Sequence, residues 1–210
     1  MSSHLSEKAE NLPDSATTRS GNGDDRERGD DLLGVLEELF LSDGYRGVTL
    51  RALAARLGCS NRRLYALAPS KEELFLLVMT RFFERTKREG WTEAQADGPL
   101  VDRIRAYLRV GIVAAERAGP KFNEDIESLP AGRRLFDAFQ QERIEGLRLL
   151  IEEGKAKGEF DGYHAMLVAE VMIQSSRRLR EPDFLARSGM TFAEALTELS
   201  RLIRNGLARR

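Results

Sequence analysis

Between Tyr45 and Lys71 the sequence carries six basic residues, Arg46, Arg51, Arg56, Arg62, Arg63 and Lys71, and no acidic one. Thr49, Ser60, Asn61 and Tyr65 are interleaved with them and add hydroxyl and amide groups. Residues of these types suit a phosphate backbone and base edges: guanidinium matches guanine, carboxamide matches adenine, and hydroxyl or ammonium groups reach phosphate oxygens. The formal net charge of the whole chain is only -1, so the positive potential is local. A local patch is what attraction to a polyanion requires. Other chemistry is thinly supplied. One cysteine and two histidines, His4 and His164, give no metal-ligand spacing, and no nucleophile–base pair or phosphate-cradling loop is visible. No catalytic residue, metal or cofactor is therefore expected.

Such side chains act only when short helices hold them, and the apolar pattern supplies those helices. Leu32, Val35, Leu36, Leu39 and Phe40 recur at helical spacing behind Asp30 or Asp31, either of which can cap, and Asp43-Gly44 stops the stripe. Thr49 is placed to cap a second helix that turns Leu50, Leu53, Ala54 and Leu57 inward. Gly58 supplies a tight turn, and Ser60 caps a third helix anchored by Leu64 and ended by Pro69. Ser70 and Glu73 form a capping box for a fourth helix, predicted to reach Glu89 and stop at Gly90. The middle pair, TLRALAARLGCSNRRLYAL, has the layout of a helix-turn-helix whose second helix enters a major groove.

The segment from Leu32 to about Arg81 resembles the N-terminal domain of the TetR/AcrR family of bacterial transcriptional regulators, through LFLSDGYRGVTL, LAARLGCSNRRLY and PSKEEL in that order. The resemblance implies a helix-turn-helix DNA-binding domain at residues 30–76 and a helical ligand-binding and dimerisation domain at 77–210. It implies a homodimer on a palindromic operator of double-stranded DNA, repressing transcription until a small-molecule effector binds. Position by position, it places Thr49 and Arg51 at phosphate or base, Ser60, Asn61, Arg62 and Arg63 on the base-reading face, Tyr65 on the DNA backbone and Lys71 on a phosphate. The run Ala66-Leu67-Ala68 departs from the family's aromatic pair and implies looser packing against the fourth helix. Cys59 stands where the family has a small apolar residue, which implies packing rather than redox chemistry.

Beyond a break at Trp91–Pro99 the pattern predicts helices over Leu100–Arg117, Phe122–Ser128, Ala131–Lys157 and Tyr163–Arg180. A loop to Thr191 then precedes a last helix ending near Leu207. Phe82, Trp91, Tyr107, Phe122, Phe136 and Phe139 are candidates to line a ligand pocket, although aromatics at this spacing also build cores. Glu170, amid apolar residues, either faces a ligand or pairs with an arginine across the bundle. By the resemblance, Met166, Ile173, Phe192, Leu196, Leu199, Ile203 and Leu207 are candidates for a dimer interface, a role compatible with facing the core.

The fold class is all-α, since no strand-like alternation occurs in 210 residues of 41% hydrophobic and 32% charged composition. Residues 1–29 are polar and are expected to form a disordered tail. No apolar run is long enough to span a bilayer, the N-terminus lacks a signal-peptide core and the single cysteine suits a reducing cytosol, so a cytoplasmic location is expected. Two other readings remain open at this point, a helical adaptor that docks its basic face on an acidic protein, and an all-helical enzyme.

Overall fold

Side-chain caps and glycine stops set most helix boundaries where the sequence predicts them. The computed structural model describes residues 21–159 and 164–207, which hold ten helices and no strand. These are α1 (Gly21–Asp43), α2 (Leu50–Arg56), α3 (Asn61–Leu67), α4 (Lys71–Ala94), α5 (Leu100–Arg117), α6 (Pro120–Ser128), α7 (Pro130–Ala156), α8 (Ala165–Leu179), α9 (Pro182–Ser188) and α10 (Phe192–Leu207). Thr49, Ser60 and Ser70 accept hydrogen bonds from the backbone N–H groups of Ala52, Arg63 and Glu73, which would otherwise be orphaned at the helix starts. Gly44 and Gly58 adopt the left-handed conformation, with φ of 70° and 60°, and end the elements before them.

Three boundaries differ from expectation. Helix α1 begins at Gly21, not at Asp30 or Asp31, so residues 21–29 are helical and neither aspartate is a cap. Extending an existing helix is far cheaper than nucleating one, so α1 continues N-terminal to its apolar stripe. The rest of the expected tail, residues 1–20, lies outside the described residues, as does Tyr163. Helix α4 runs through Gly90 and Trp91 to Ala94. Gly90 is buried, and a Cβ there would sit 3.4 Å from the Tyr107 ring, so this glycine permits close packing and is not a stop. The loop before Thr191 contains α9, opened by Pro182 at its first position and closed by Gly189 at φ 67°.

Helix α4 is the central element and packs against α1, α5 and α7, while α10 packs against α5 and α8. One apolar cluster runs from Leu36 and Phe40 on α1, through Leu53 and Leu64 beside the turn, to Phe136, Phe139 and Phe192. Aromatic rings form a near-continuous ladder through it. Tyr45 stacks on Phe75 at 4.4 Å, Phe75 meets Phe122 edge-on at 5.4 Å, and Phe122 meets Phe82 at 6.1 Å. Further along, Phe83 stacks on Phe139 at 4.4 Å. A second cluster, with Leu100, Ile104, Leu147, Ile151 and Met172, fills the far end between α5, α7 and α8.

Polar ties fix α1 to the rest. The buried Glu37 carboxylate is shared by Arg85 of α4 and Arg117 of α5. Asp125 of α6, 3% exposed, accepts from the backbone N–H of Tyr45 and of Arg46 and from the Arg46 guanidinium. The Gly119 N–H donates to the Leu41 carbonyl at 2.8 Å. Replacing Asp125 by alanine strands two backbone donors at the end of α1. The substitution is expected to lower unfolding free energy by roughly 3 kcal/mol, since a lost hydrogen bond to a charged group is worth about 1.5–3 kcal/mol. Chemical denaturation measures the loss directly.

Candidate nucleic-acid interface and internal cavity

The turn between α2 and α3 is short because Gly58 takes positive φ and the Cys59 N–H closes back on the Ala54 carbonyl at 3.0 Å. Leu53 and Ala54 of α2 and Leu64 of α3 point inward, and Leu64 is fully buried. That anchoring turns Asn61, Arg62, Arg63 and Tyr65 outward, and all four are exposed. Thr49, Arg51 and Ser60 are exposed as well, so seven of the eight residues expected on the interface are accessible. The eighth, Lys71, is half-buried. Its ammonium donates to the carbonyls of Val48 at 2.9 Å and Arg46 at 3.3 Å and lies 5.4 Å from the Tyr45 ring centroid. Lys71 thus also braces the loop that leads into α2.

The six basic residues separate by role. Arg46 is paired with Asp125, and Arg56 with Asp43 at 3.0 Å, a contact that holds the Asp43 carboxyl below its ordinary range. Arg51, Arg62 and Arg63 have no side-chain partner among the described residues and remain open to an anionic surface. Ala68 is buried and Leu67 half-buried against the core, and Tyr45, stacked on Phe75, brings aromatic bulk close by. Cys59 is half-buried and packed on the same core.

The expected pocket aromatics divide into three groups. Phe82, Phe122, Phe136 and Phe139 line one internal cleft together with Phe83, Phe192, Gly111, Gln140 and Leu196. Tyr107 borders an adjoining cavity with Gly111, Gln140, Arg143, Leu147, Met172 and Ser176. Trp91 is 41% exposed and stands in a surface groove, edge-on to Tyr107 at 6.1 Å. Glu170 belongs to neither cavity. It is exposed on α8 and accepts from Gln174 one turn along, because the apolar side of α8 that packs on α7 is carried by Val168, Ala169 and Met172.

Arg143 is the residue that periodicity did not single out. Its guanidinium is 7% exposed and donates to the Tyr107 carbonyl at 3.0 Å, while the Tyr107 hydroxyl donates to the Arg143 carbonyl at 2.6 Å. Burial pushes the Arg143 guanidinium down from its usual range and the Tyr107 phenol up. The legible signal was glycine inside helical patterns, which marks close packing. A Cβ at Gly111 would fall 2.7 Å from Arg143 Nη2, and one at Gly146 would fall 2.5 Å from the Tyr107 hydroxyl.

The residues expected at a dimer interface also divide. Phe192 is buried against Phe136 and Ile173 is buried in the second core cluster, so both serve this chain's own interior. Leu196, Leu199 and Ile203 are half-buried against the same clusters, and the side chain of Leu207 lies outside the described residues. Met166 is 57% exposed. Leu167 and Val171 of α8 and Leu202 of α10, which the stripe did not include, are exposed with it, Leu202 at 69%. No helix is long and apolar enough to cross a membrane, and no group of three metal-ligating side chains converges, among the described residues.

A capped helix-turn-helix mounted on a helical body is the architecture of a DNA-binding regulator. Residues 32–78 match the model of bacterial regulatory proteins of the tetR family. No curated protein matches the chain. Solved structures do. A transcriptional regulator from Cytophaga hutchinsonii superposes with a TM-score of 0.69 at 14% identity, over 87% of this chain and 99% of that one. A TetR family transcriptional regulator, PfmR, from Thermus thermophilus superposes with a TM-score of 0.57 at 25% identity, over 85% and 99%. A transcriptional regulator from Saccharomonospora viridis, in complex with choline, gives 0.68 at 16% identity, over 88% and 100%.

Because Arg62 and Arg63 are exposed and their side chains form no hydrogen bond or ion pair among the described residues, the double substitution to alanine is expected to change stability by less than about 0.5 kcal/mol per site, as for ordinary surface positions. Thermal unfolding followed by circular dichroism checks this. A drop of several kelvin would show a structural role.

Proposed function

We propose that the protein is a ligand-responsive transcriptional repressor that binds a palindromic operator as a homodimer and is released by a small-molecule effector. The observation that carries this reading is the cluster of exposed, unpaired Arg51, Arg62 and Arg63 around the outward face of α3. In this reading Ser60, Asn61, Arg62 and Arg63 read base edges, and Thr49, Arg51, Tyr65 and Lys71 hold the backbone. Residues 30–76 form the DNA-binding domain and residues 77–210 the domain for ligand and dimer.

Two lines of support concern the body. Met166, Leu167, Val171 and Leu202 leave an apolar surface on the paired helices α8 and α10, suited to a second copy related by a two-fold axis. The phenylalanine-lined cleft is bounded by Phe82 and Phe83 of α4, the helix that follows the reading head, so a ligand seated there bears on the head's position. A fold neighbour holds choline, in keeping with small-molecule binding by this architecture. An effector favouring a state with wrongly spaced heads lowers DNA affinity, and DNA lowers effector affinity by the same factor. Two-fold symmetry sets half-sites about 34 Å apart, one helical turn.

Selection of bound duplexes from a random pool should return a palindrome. On that duplex, Arg62→Ala with Arg63→Ala is expected to weaken binding by about tenfold or more, because each base contact is worth roughly 1–3 kcal/mol. Lys71→Ala should weaken binding to all sequences alike and flatten the salt dependence by about one unit. Unchanged affinity in the arginine variant means that α3 does not read DNA. Val171→Glu with Leu202→Glu is expected to yield a monomer in analytical ultracentrifugation, and a dimer that persists places the interface elsewhere.

A further inference from the structure

We propose that the internal cavity is an anion site, and that the effector is an amphipathic carboxylate whose head group pairs with Arg143 and whose apolar part enters the phenylalanine-lined cleft. This rests on the reading of the body as a ligand-binding domain. An arginine keeps its proton in any protein environment, so Arg143 is a buried cation. Among the described residues no carboxylate forms an ion pair with it, and Nη1 has no hydrogen-bond partner at all. Its single side-chain bond uses Nη2 and a carbonyl, and the Tyr107 and Phe139 rings lie 5.0 and 5.8 Å from the guanidinium carbon. Burial of an uncompensated charge is among the costliest arrangements a fold can hold.

The other buried arginine also has unpartnered nitrogens, Nε and Nη1, but its charge is compensated. Arg180, 8% exposed, lies over the Phe136 ring at 3.9 Å but has Glu127 at 3.0 Å and Asp137 at 3.8 Å. Arg143 has the ring faces without the carboxylates. It has a cavity in their place, of about 50 Å³, room for a carboxylate-sized group. Gly111, Gln140 and Leu196 border both this cavity and the cleft lined by Phe83, Phe122 and Phe139, so a polar and an apolar compartment adjoin. The site also has an approach. Arg143 and Tyr107 line the outer groove that holds Trp91 and Leu149 as well as the inner cavity. A carboxylate accepting two guanidinium N–H bonds would satisfy Nη1 and neutralise the charge together.

Trp91 is the only tryptophan and contacts Tyr107, so its emission reports on the site without DNA. The test titrates the full chain with phenylacetate and octanoate, and with phenylacetamide and 2-phenylethylamine as the neutral and cationic counterparts. At least one acid is expected to give a saturable change with one site per chain, with the amide about tenfold or more weaker and the amine silent, since an unmet charged hydrogen bond costs at least that factor. Arg143→Met is expected to lose acid binding while unfolding at the same or a higher temperature, because an apolar residue replaces an unpaired charge. Should that variant not fold, Gly111→Ala serves, since its methyl displaces the guanidinium tip and leaves the helix intact. Equal affinity for acid and amide, no response to either acid, or undiminished acid binding in both variants would overturn the proposal. Binding of acid that fails to release duplex would instead leave the anion site standing and count against the repressor mechanism.

Discussion

A single carboxylate closes the reading head. Asp125 is the acceptor for both backbone N–H groups that emerge where α1 ends, and it takes the Arg46 guanidinium as well. The chain can approach it only because residue 44 has no side chain. A Cβ at Gly44 would sit 2.5 Å from Asp125 Oδ2, and the backbone there is at φ +70° in any case. From this point the loop passes Arg46 and Val48, whose carbonyls receive the Lys71 ammonium, and reaches Thr49, which caps α2. The orientation of the recognition surface is therefore set by a residue of α6. The same short helix carries Phe122, which touches both Phe75 beneath the head and Phe82 at the cleft. One element thus bears on the cavity and on the attachment of the head, an arrangement through which occupancy of the one can bias the other.

The distribution of charge follows a consistent logic. Buried acids are surrounded by donors, as Glu37 is by Arg85 and Arg117, so their desolvation is offset within the chain. Surface arginines on the side away from the reading face are mostly drawn into pairs, among them Arg148 with Glu145 and Glu152, and Arg178 with Glu181 and Asp183. Among the described residues, exposed arginines without a carboxylate include Arg51, Arg62 and Arg63 around α3 and Arg88, Arg133 and Arg134 on the body, whereas Arg143 is buried without one.

What was legible in the sequence was local. The caps Thr49, Ser60 and Ser70 and the stops Gly44 and Gly58 act within one turn of themselves, so their residue types sufficed to place α2, α3 and the start of α4. The outward placement of Asn61, Arg62, Arg63 and Tyr65 followed from them. The misreadings were of partners distant in the chain. Gly90 reads as a stop until the Tyr107 ring is known to lie against it, and Phe192 reads as an interface residue until Phe136 is found beneath it. Glu170 drew notice because its neighbours in sequence are apolar, but it stands on the exposed side of α8. Arg143 looked like one more charge on a charged helix, although glycines on two other helices make the space that it and Tyr107 occupy.

The separation between Tyr45 and Asp125, 80 residues, also bears on how the protein is made. Synthesis proceeds at about 5–20 residues per second, so the acceptor for the end of α1 is added roughly 4–16 seconds after the donors it will hold. During that interval α2 and α3 already have their caps and Lys71 its two loop carbonyls, while the end of α1 lacks its Asp125 acceptor. In the proposed reading, competence to recognise DNA waits on synthesis of the helix that also borders the phenylalanine-lined cleft.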